Sequence, residues 1–204
     1  MKNKVFQIKI TELQNVRNQR YIIKNKINLC LIIMVNIGFF SSSKDSLKNK
    51  YNDDIIKLLE NIKNRTKIQN AVYGGGRTGI MGIVYDVFKD NIISHNLEKW
   101  KISDNENIHP DMLARQRAII ESSDIFIVLP GGVGTVSELF DCIMMNDTEQ
   151  FNKPIIIYNI DNYYDELYNF LGKLYNIGAS KKSNILYCND NIDNIINIIN
   201  LHFQ

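Results

Sequence analysis

The sequence predicts an α/β fold, a Rossmann-like parallel sheet with helices on both faces. Three observations support this class. Short apolar segments typical of strands alternate along the chain with segments of helical periodicity. The apolar segment at 125–129 does not alternate with polar residues, as expected for a strand covered on both faces. Glycine-rich turns directly follow two of the strand segments, at 74–79 and 130–135, and such turns join strands to helices in these sheets.

The first elements follow from apolar spacing and from turn residues. Residues 29–40 form an apolar run too short to span a bilayer, and they predict a buried strand that ends at three serines. Isoleucines and leucines at helical spacing predict a helix at 51–62. Residues 70–73 predict a short strand that three glycines stop, and the apolar face of 79–88 predicts the helix that follows.

The middle of the chain holds the next strand, a loop and a helix. Residues 91–95 predict a strand, and the polar segment 97–111, which includes a proline, predicts a loop. Residues 112–122 predict a helix with two isoleucines directed toward the core. The continuous apolar segment 125–129 predicts a strand that is covered on both faces.

The last part of the chain repeats the alternation of helix and strand. A helix is predicted at 136–145, a strand at 154–159, and a tyrosine-rich helix at 163–175. A short strand at 185–188 and a closing helix at 191–201 complete the sheet and its cover. No linker or shift in composition interrupts 29–204, which we therefore expect to be one Rossmann-like domain, with 1–28 as an N-terminal extension.

Composition narrows the class of protein. The 204 residues are 45% hydrophobic and 23% charged, which is ordinary for a soluble globular protein. A formal net charge of +2 argues against nucleic-acid binding driven by the overall field. The three cysteines are far apart and odd in number, which argues against a disulfide framework. Residues 1–28 lack the apolar centre of a signal peptide, so we expect a reducing, cytoplasmic setting and no membrane segment.

The most informative motif is the turn at 130–138, PGGVGTVSE, directly after the strand at 125–129. Glycines at the start of a helix leave backbone N–H groups pointing outward, and such a helix N-terminus favours an anion. Glu138 follows one helical turn later, and an acid beside a phosphate site suggests chemistry on a nucleotide. The candidate phosphate-binding residues of this turn are Gly131, Gly132, Gly134 and Thr135.

A second glycine-rich turn and a serine turn are expected at the same edge, because ligands of parallel sheets gather at the carboxyl ends of the strands. The candidate residues are Gly74, Gly75 and Gly76 after one strand and Ser42 after another. Neither glycine turn ends in the Gly-Lys-Ser/Thr of a Walker loop. Two simpler readings stay open: the glycines only ease a tight turn, and the serines only begin the next helix.

Other polar and aromatic side chains are candidates for the site. Arg115, on the helix before the strand at 125–129, is a candidate for gripping phosphate or carboxylate, whereas Arg117 fits a solvated helix face. Trp100, in a polar loop, is either a pocket wall or a core anchor. The three histidines show no metal-ligand spacing, and we expect neither a metal nor a cofactor.

Two motifs together resemble a known family. VYGGGRTGIMG at 72–82 resembles the first signature of the Lonely Guy proteins, also called lysine decarboxylase-like, and PGGVGTVSE at 130–138 matches their hallmark P-G-G-x-G-T-x-x-E. The resemblance extends over about residues 29–180. It implies a Rossmann-like homodimer that hydrolyses a nucleoside 5′-monophosphate, such as a cytokinin riboside monophosphate, to the free base and ribose 5-phosphate. Relatives of the same fold include nucleotide-binding and molybdenum-cofactor carrier proteins, and a non-hydrolytic carrier is the alternative.

The chain departs from the family pattern at three positions. Family members typically show M-H-x-R-K on the helix before the hallmark strand, where this chain has Leu113 in place of His and Gln116 in place of Lys. Ser41 stands where the family usually has glycine. Within the resemblance, Glu138 and Arg115 are the expected catalytic residues: Glu138 stabilises positive charge on the ribose, and Arg115 holds the phosphate or assists the leaving base.

Overall fold

The structure is a computed structural model that describes residues 34–203. The predicted N-terminal extension at 1–28 and the start of the predicted strand at 29–40 lie outside the described residues. Within the described part of the chain, no helix has both the length and the apolar character that crossing a bilayer would require.

Seven parallel strands form one sheet in the order β4-β3-β2-β1-β5-β6-β7. The strands are β1 Val35–Phe40, β2 Ile68–Tyr73, β3 Ile92–Leu97, β4 Asn107–His109, β5 Ile125–Val128, β6 Ile155–Tyr158 and β7 Leu186–Asn189. The direction of strand succession reverses between β1 and β5, which lie side by side. In an open parallel sheet, ligands bind in the crevice that opens at the carboxyl ends of such strands.

In the described part of the chain, six α-helices cover the sheet: α1 Asp45–Arg65, α2 Gly79–Phe88, α3 Met112–Ser122, α4 Val133–Asp147, α5 Asp165–Asn176 and α6 Ile192–His202. One apolar cluster joins α1, α2 and α6 to one face of the sheet. A second cluster joins α3, α4 and α5 to the other face. Neighbouring strand residues divide between the two clusters, as Phe126 and Ile127 of β5 do, because side chains alternate across a strand. The predicted α/β class is therefore confirmed.

The predicted bounds agree with the structure for two helices and differ at the starts of two others. The helices α2 and α3 have the predicted bounds. Helix α1 begins at Asp45, before the start predicted at residue 51. Its first turns are polar and carry no apolar stripe, so the apolar spacing did not reveal them. Helix α4 begins at Val133 rather than at 136, so Gly134 lies inside its first turn. Glycine is a poor helix former, and the sequence pattern therefore did not indicate this turn as helical.

The predicted loop at 97–111 was wrong in part. It contains a short 3₁₀ helix, Glu98–Trp100, and the edge strand β4, which pairs with β3 in parallel. A strand of three residues at the edge of a sheet needs no apolar run, and its polar residues give no strand pattern. His109, in the predicted loop, therefore lies on β4, and His95, at the end of the strand predicted at 91–95, lies on β3.

Candidate functional site

A cleft opens where β1 and β5 end, at the reversal of strand order. The serine turn after β1 and the glycine turn after β5 are joined by a hydrogen bond from the Ser42 N–H to the Pro130 carbonyl, at 3.3 Å. The cleft has a volume of about 490 Å³, and its walls come from both turns, from α3 and from the first turns of α4. The predicted site residues that line it are Ser42, Arg115, Gly132, Gly134, Thr135 and Glu138.

The N-terminus of α4 is open toward this cleft. Its N-cap is Gly132, whose carbonyl accepts from the Val136 N–H at 3.0 Å. Within residues 34–203, the N–H groups of Val133, Gly134 and Thr135 have no hydrogen-bond partner. A Cβ added at Gly132 or at Gly134 would meet no atom within 4 Å. Free N–H groups at the positive end of a helix form a site for an anion.

The N-terminus of α2, which follows the other glycine turn, is closed. The Gly79 N–H donates to the Asp45 carboxylate at 3.0 Å, and the Met81 N–H donates to the Ser42 carbonyl at 3.1 Å. Gly79 has a φ of +61°, and a Cβ there would lie 2.5 Å from the Ser43 carbonyl carbon. The two glycine turns are therefore not equivalent, since chain atoms within residues 34–203 already occupy two of the first three donor groups of α2 and none of those of α4.

Arg115 projects from α3 into the space between these two turns. Its Nε donates to the His95 carbonyl at 3.0 Å, and its Nη2 donates to the Gly74 carbonyl at 2.8 Å. A Cβ at Gly74 would stand 1.9 Å from that same Nη2. Gly74 therefore makes room for the guanidinium and also anchors it. Of the two neighbours of Gly74, Gly76 lines a cavity, whereas Gly75, at a φ of +79°, packs against Asn96.

The remaining nitrogen of Arg115 faces an acid. Its Nη1 lies 3.7 Å from Glu138 Oε1, and the two side chains are only 5% and 8% exposed. Burial raises the pKa of Glu138 to about 7, the Arg115 charge opposes that rise, and Asp141 on the same helix adds to it. Burial also lowers the pKa of Arg115. Glu138 is thus a carboxyl group on the cleft wall that titrates near neutral pH.

The turn at 130–132 is held by contacts that the sequence did not reveal. The Tyr163 hydroxyl donates to the Gly131 carbonyl at 3.0 Å, and the Tyr164 hydroxyl donates to the Leu129 carbonyl at 2.8 Å. The sequence predicts these tyrosines at the start of the helix at 163–175, but they lie before α5 and brace the strand end instead. A Cβ at Gly131 would lie 2.1 Å from Thr135 Oγ1, so the buried Thr135 side chain needs a glycine there.

The serine turn stabilises the backbone that leads into α1, and it also forms part of the cleft wall. Ser42 Oγ accepts from the Lys44 N–H at 3.0 Å, so its hydroxyl stabilises the turn that leads into α1. Ser42 also lines the cleft, and the two alternatives left open for it are therefore compatible. The neighbouring Ser41 Oγ is buried and has no hydrogen-bond partner among the residues that the structure describes.

The departures from the family pattern on α3 have definite environments. Gln116, where the family pattern has lysine, donates from Nε2 to the Asp141 carboxylate of α4. Leu113, where the pattern has histidine, is 78% exposed at the mouth of the cleft. The first departure thus leaves Asp141 with an amide rather than a cation, and the second places an apolar side chain at the entrance.

A second cavity of about 350 Å³, here called the side cavity, adjoins the cleft and shares Ser43, Met81, Trp100 and Arg115 with it. Trp100 is 47% exposed and lines both spaces, which makes it a pocket wall rather than a core anchor. Behind these walls His95 Nδ1 lies 2.9 Å from His109 Nε2. Burial, His109 and Arg115 lower the pKa of His95 to about 4, so this ring is neutral at pH 7.

In the described range 34–203, no group of three histidine, cysteine, aspartate or glutamate side chains is placed to hold a metal ion. The site defined by the structure is therefore built from backbone donors, one buried ion pair and two adjoining cavities. Such a site, at the carboxyl edge of a parallel α/β sheet, is typical of proteins that bind phosphate-bearing ligands.

Comparison with known proteins identifies the family. Residues 65–199 match the family described as "Possible lysine decarboxylase". A probable cytokinin riboside 5′-monophosphate phosphoribohydrolase of Arabidopsis thaliana is 32% identical over 149 residues, which cover 68% of this chain and 73% of the relative. Another Arabidopsis protein, a cytokinin riboside 5′-monophosphate phosphoribohydrolase, is 32% identical over 154 residues, covering 71% of this chain and 67% of its own length. The chain belongs to this family, as its resemblance to the Lonely Guy proteins predicted.

Solved structures share the fold at lower identity. A molybdenum cofactor carrier protein from Chlamydomonas reinhardtii superposes with a TM-score of 0.61 at 16% identity, covering 83% of this chain and 97% of that one. A molybdenum cofactor binding protein from Rippkaea orientalis gives a TM-score of 0.56 at 22% identity, covering 85% and 99% of the two chains. At these identities the likeness establishes the α/β fold alone.

Proposed function

We propose that this protein is a phosphoribohydrolase, which cleaves the N-glycosidic bond of a nucleoside 5′-monophosphate to release the free base and ribose 5-phosphate. The observation that carries the proposal is the placement of an open helix N-terminus and a buried Glu138–Arg115 pair on one cleft. Relatives named for this reaction, at 32% identity over most of their length, support it. The substrate is a cytokinin riboside monophosphate or an AMP-like nucleotide.

The 5′-phosphate would bind at the start of α4. The free N–H groups of Val133, Gly134 and Thr135 would donate to its oxygens, and the helix dipole would favour its charge. The space around Gly132 and Gly134 is open, because a Cβ at either position would meet no atom within 4 Å. Ser42 and the Thr135 hydroxyl lie along the same cleft and would contact the phosphate or the ribose.

The bond between C1′ and the base nitrogen would break with its electron pair leaving on the base. Positive charge then develops at C1′ and the ring oxygen, and the Glu138 carboxylate, one helical turn beyond the phosphate donors, would stabilise it. The oxygen of a water molecule bonds to C1′, and a proton from that water ends on the base nitrogen. A carboxyl group with a pKa of about 7 is suited to accept the proton and pass it on.

Arg115 would act beside Glu138 rather than as a free phosphate clamp. Two of its nitrogens are bound to backbone carbonyls, which fixes the guanidinium, and the third faces the acid. Its positive charge favours the ionised form of Glu138, the form that stabilises a cationic sugar. The same nitrogen would assist departure of the base by donating to it.

The protein would work as a homodimer, as the family resemblance implies. Apolar side chains rim the mouth of the cleft: Trp100, Met112, Leu113 and Val133 are all exposed, the last at 89%. An apolar rim around a polar cleft favours cover by a second protein surface. Light scattering on the purified full chain is expected to give twice the 23.6 kDa of one chain, and a particle of single-chain mass would contradict the dimer.

A substrate panel tests the activity. Incubation with AMP, other nucleoside monophosphates and a cytokinin riboside monophosphate, followed by chromatography, is expected to release free base. Glu138→Gln is expected to abolish release while nucleotide binding stays measurable. Tight binding without any product would instead support the alternative, a nucleotide or molybdenum-cofactor carrier of the same fold. Full activity of Glu138→Gln would show that another residue stabilises the sugar cation.

A further inference from the structure

Arg77 is a cation on the wall of the side cavity, and its side chain forms no ion pair and no hydrogen bond within the described residues. Arg77 lies in the turn between β2 and α2 and lines this cavity. Its guanidinium carbon is 3.2 Å from the centre of the Tyr85 ring, so the group is stacked in place. Within residues 34–203, no carboxylate lies within 4.0 Å of it, and its Nε is buried without a hydrogen-bond partner. The two terminal nitrogens of Arg77 are neither buried nor hydrogen-bonded within the described residues, so a ligand in the cavity can supply their acceptors.

Apart from the exposed Ser43 hydroxyl, the other polar side chains along the side cavity are already engaged. Asn96 donates from Nδ2 to the Trp100 carbonyl and to Glu106, and its Oδ1 accepts from the Leu97 N–H. The Thr78 hydroxyl donates to the Ser43 carbonyl at 2.9 Å. Arg115 is committed to two carbonyls and to the acid on α4. Among the described residues, Arg77 is therefore the cation whose donors remain free for a ligand in this cavity, beside the Arg115 nitrogen that faces Glu138, and a guanidinium cannot accept a hydrogen bond.

The remaining walls favour a flat heterocycle over a second phosphate. Met81, Trp100 and Ile102 are apolar, and a phosphate against them would lose hydration that a single guanidinium does not replace. A planar base, in contrast, gains stacking energy on an aromatic side chain such as Trp100. Arg115 borders both the side cavity and the cleft, so a ligand with its phosphate at α4 and its sugar at Glu138 would extend its base into this space.

We propose that the side cavity is the base subsite and that Arg77 makes it selective for 6-oxopurines, so that IMP and GMP are preferred over AMP. This inference rests on the proposed cleavage of a nucleoside 5′-monophosphate and changes the expected base from an adenine to a 6-oxopurine. A 6-oxopurine presents two adjacent acceptors, O6 and N7, which match the parallel N–H groups of a guanidinium. An adenine presents an amino group beside N7, and that amino group would direct its own N–H toward the N–H groups of Arg77.

Binding of a matched pair tests the proposal, because IMP and AMP differ in the donor or acceptor character of one edge. Calorimetry on the Glu138→Gln protein is expected to show IMP bound about tenfold tighter than AMP, since one good bidentate pair gives discrimination of about that size. Adding Arg77→Met is expected to bring the IMP-to-AMP ratio close to one, and Arg77→Lys, which keeps the charge but loses the fork, is expected to do the same. Arg117→Met, on an exposed helix face where Arg117 pairs with Glu121, is the control and is expected to keep the ratio.

The outcomes separate this inference from the proposed function. Release of base from AMP at an efficiency equal to or above that from IMP would overturn the selectivity and leave the hydrolase intact. A tenfold binding ratio that depends on Arg77, without release of base from any nucleotide, would keep the subsite and remove the hydrolase. A ratio that survives Arg77→Met, or an equal loss of IMP and AMP affinity in that variant, would overturn the role of Arg77. Melting curves of each variant establish that a lost ratio does not come from unfolding.

Discussion

Arg115 Nη1 lies 3.7 Å from Glu138 Oε1 on the wall of a cleft, although the two residues belong to different helices, one before β5 in the chain and one after it. Each member of the pair shifts the pKa of the other. Burial raises the pKa of Glu138, and the guanidinium restrains that rise to about 7. Because the guanidinium is bound to two backbone carbonyls, it cannot turn away from the acid without losing both hydrogen bonds. The pair is therefore a rigid site whose charge state changes near neutral pH.

The first prediction concerns the pH dependence of activity. If the Glu138 carboxylate stabilises the sugar cation, kcat/KM rises with pH and levels off above a midpoint near 7. Asp141→Asn removes a negative charge that raises the Glu138 pKa, so its midpoint is expected at lower pH. Asp86→Asn makes the same change of charge at an exposed position on α2 and is expected to leave the midpoint unmoved. Equal profiles for all three proteins would contradict control of this midpoint by Glu138.

The second prediction concerns stability. The pKa of Glu138 is raised from 4.5 to about 7 on folding, so its contribution to stability is complete below pH 4.5 and is lost as pH rises through 7. Glu138→Gln does not titrate. Its free energy of unfolding relative to wild type is therefore expected to rise by about 2 to 3 kcal/mol between pH 5 and pH 8. Urea denaturation at both pH values measures this difference, and a difference that stays constant with pH would contradict the raised pKa.

Gly74 provides the third prediction. In Gly74→Ala the new methyl group would lie 1.9 Å from the position that Arg115 Nη2 occupies in the wild-type protein. The guanidinium therefore has to move. We expect a loss of about 1 to 3 kcal/mol in stability and a larger proportional loss in kcat than in substrate affinity. Gly172→Ala on α5 is the matched control, because a Cβ there meets nothing within 4 Å, and it is expected to stabilise the protein by about 0.5 to 1 kcal/mol. Chemical denaturation and steady-state kinetics distinguish the two variants.

The sequence predicted the sheet edge of the site but not the difference between its two glycine turns. Parallel strands bring both turns to one edge, and this follows from the alternation of elements alone. Which helix N-terminus stays open depends on Asp45, a residue 34 positions before Gly79 that binds its N–H. Only the folded chain brings these groups together, and no local pattern in the sequence records the contact.

The same limit applies to the walls of the side cavity. The segment at 97–111 has no apolar periodicity, so its edge strand and the positions of Trp100 and His109 could not be predicted from local preference. Its structure comes from pairing with β3 and from Asn96 and Glu106, whose side chains fix the backbone of the 3₁₀ segment and of Ile102. Arg115, in contrast, was predictable as a candidate from the family resemblance, and α3 had the predicted bounds.

The fourth prediction separates the function of the α4 N-terminus from its packing. A Cβ at Gly134 meets no atom within 4 Å, whereas a Cβ at Gly131 lies 2.1 Å from Thr135 Oγ1. Gly134→Ala is therefore expected to fold with stability equal to or above wild type, because alanine is the better helix former, and Gly131→Ala is expected to lose about 1 to 3 kcal/mol. Chemical denaturation of both variants measures these changes.

The same pair of variants tests where the phosphate binds. In Gly134→Ala the new methyl group stands beside the free N–H groups of the first helical turn, so the affinity for inorganic phosphate and for nucleoside monophosphates is expected to fall. The affinity for the corresponding nucleoside, which has no phosphate, is expected to stay within about twofold, since its contacts lie elsewhere in the cleft. Calorimetric titration with phosphate, nucleoside and monophosphate makes the comparison. A Gly134→Ala protein that binds all three ligands as wild type does would place the anion away from α4.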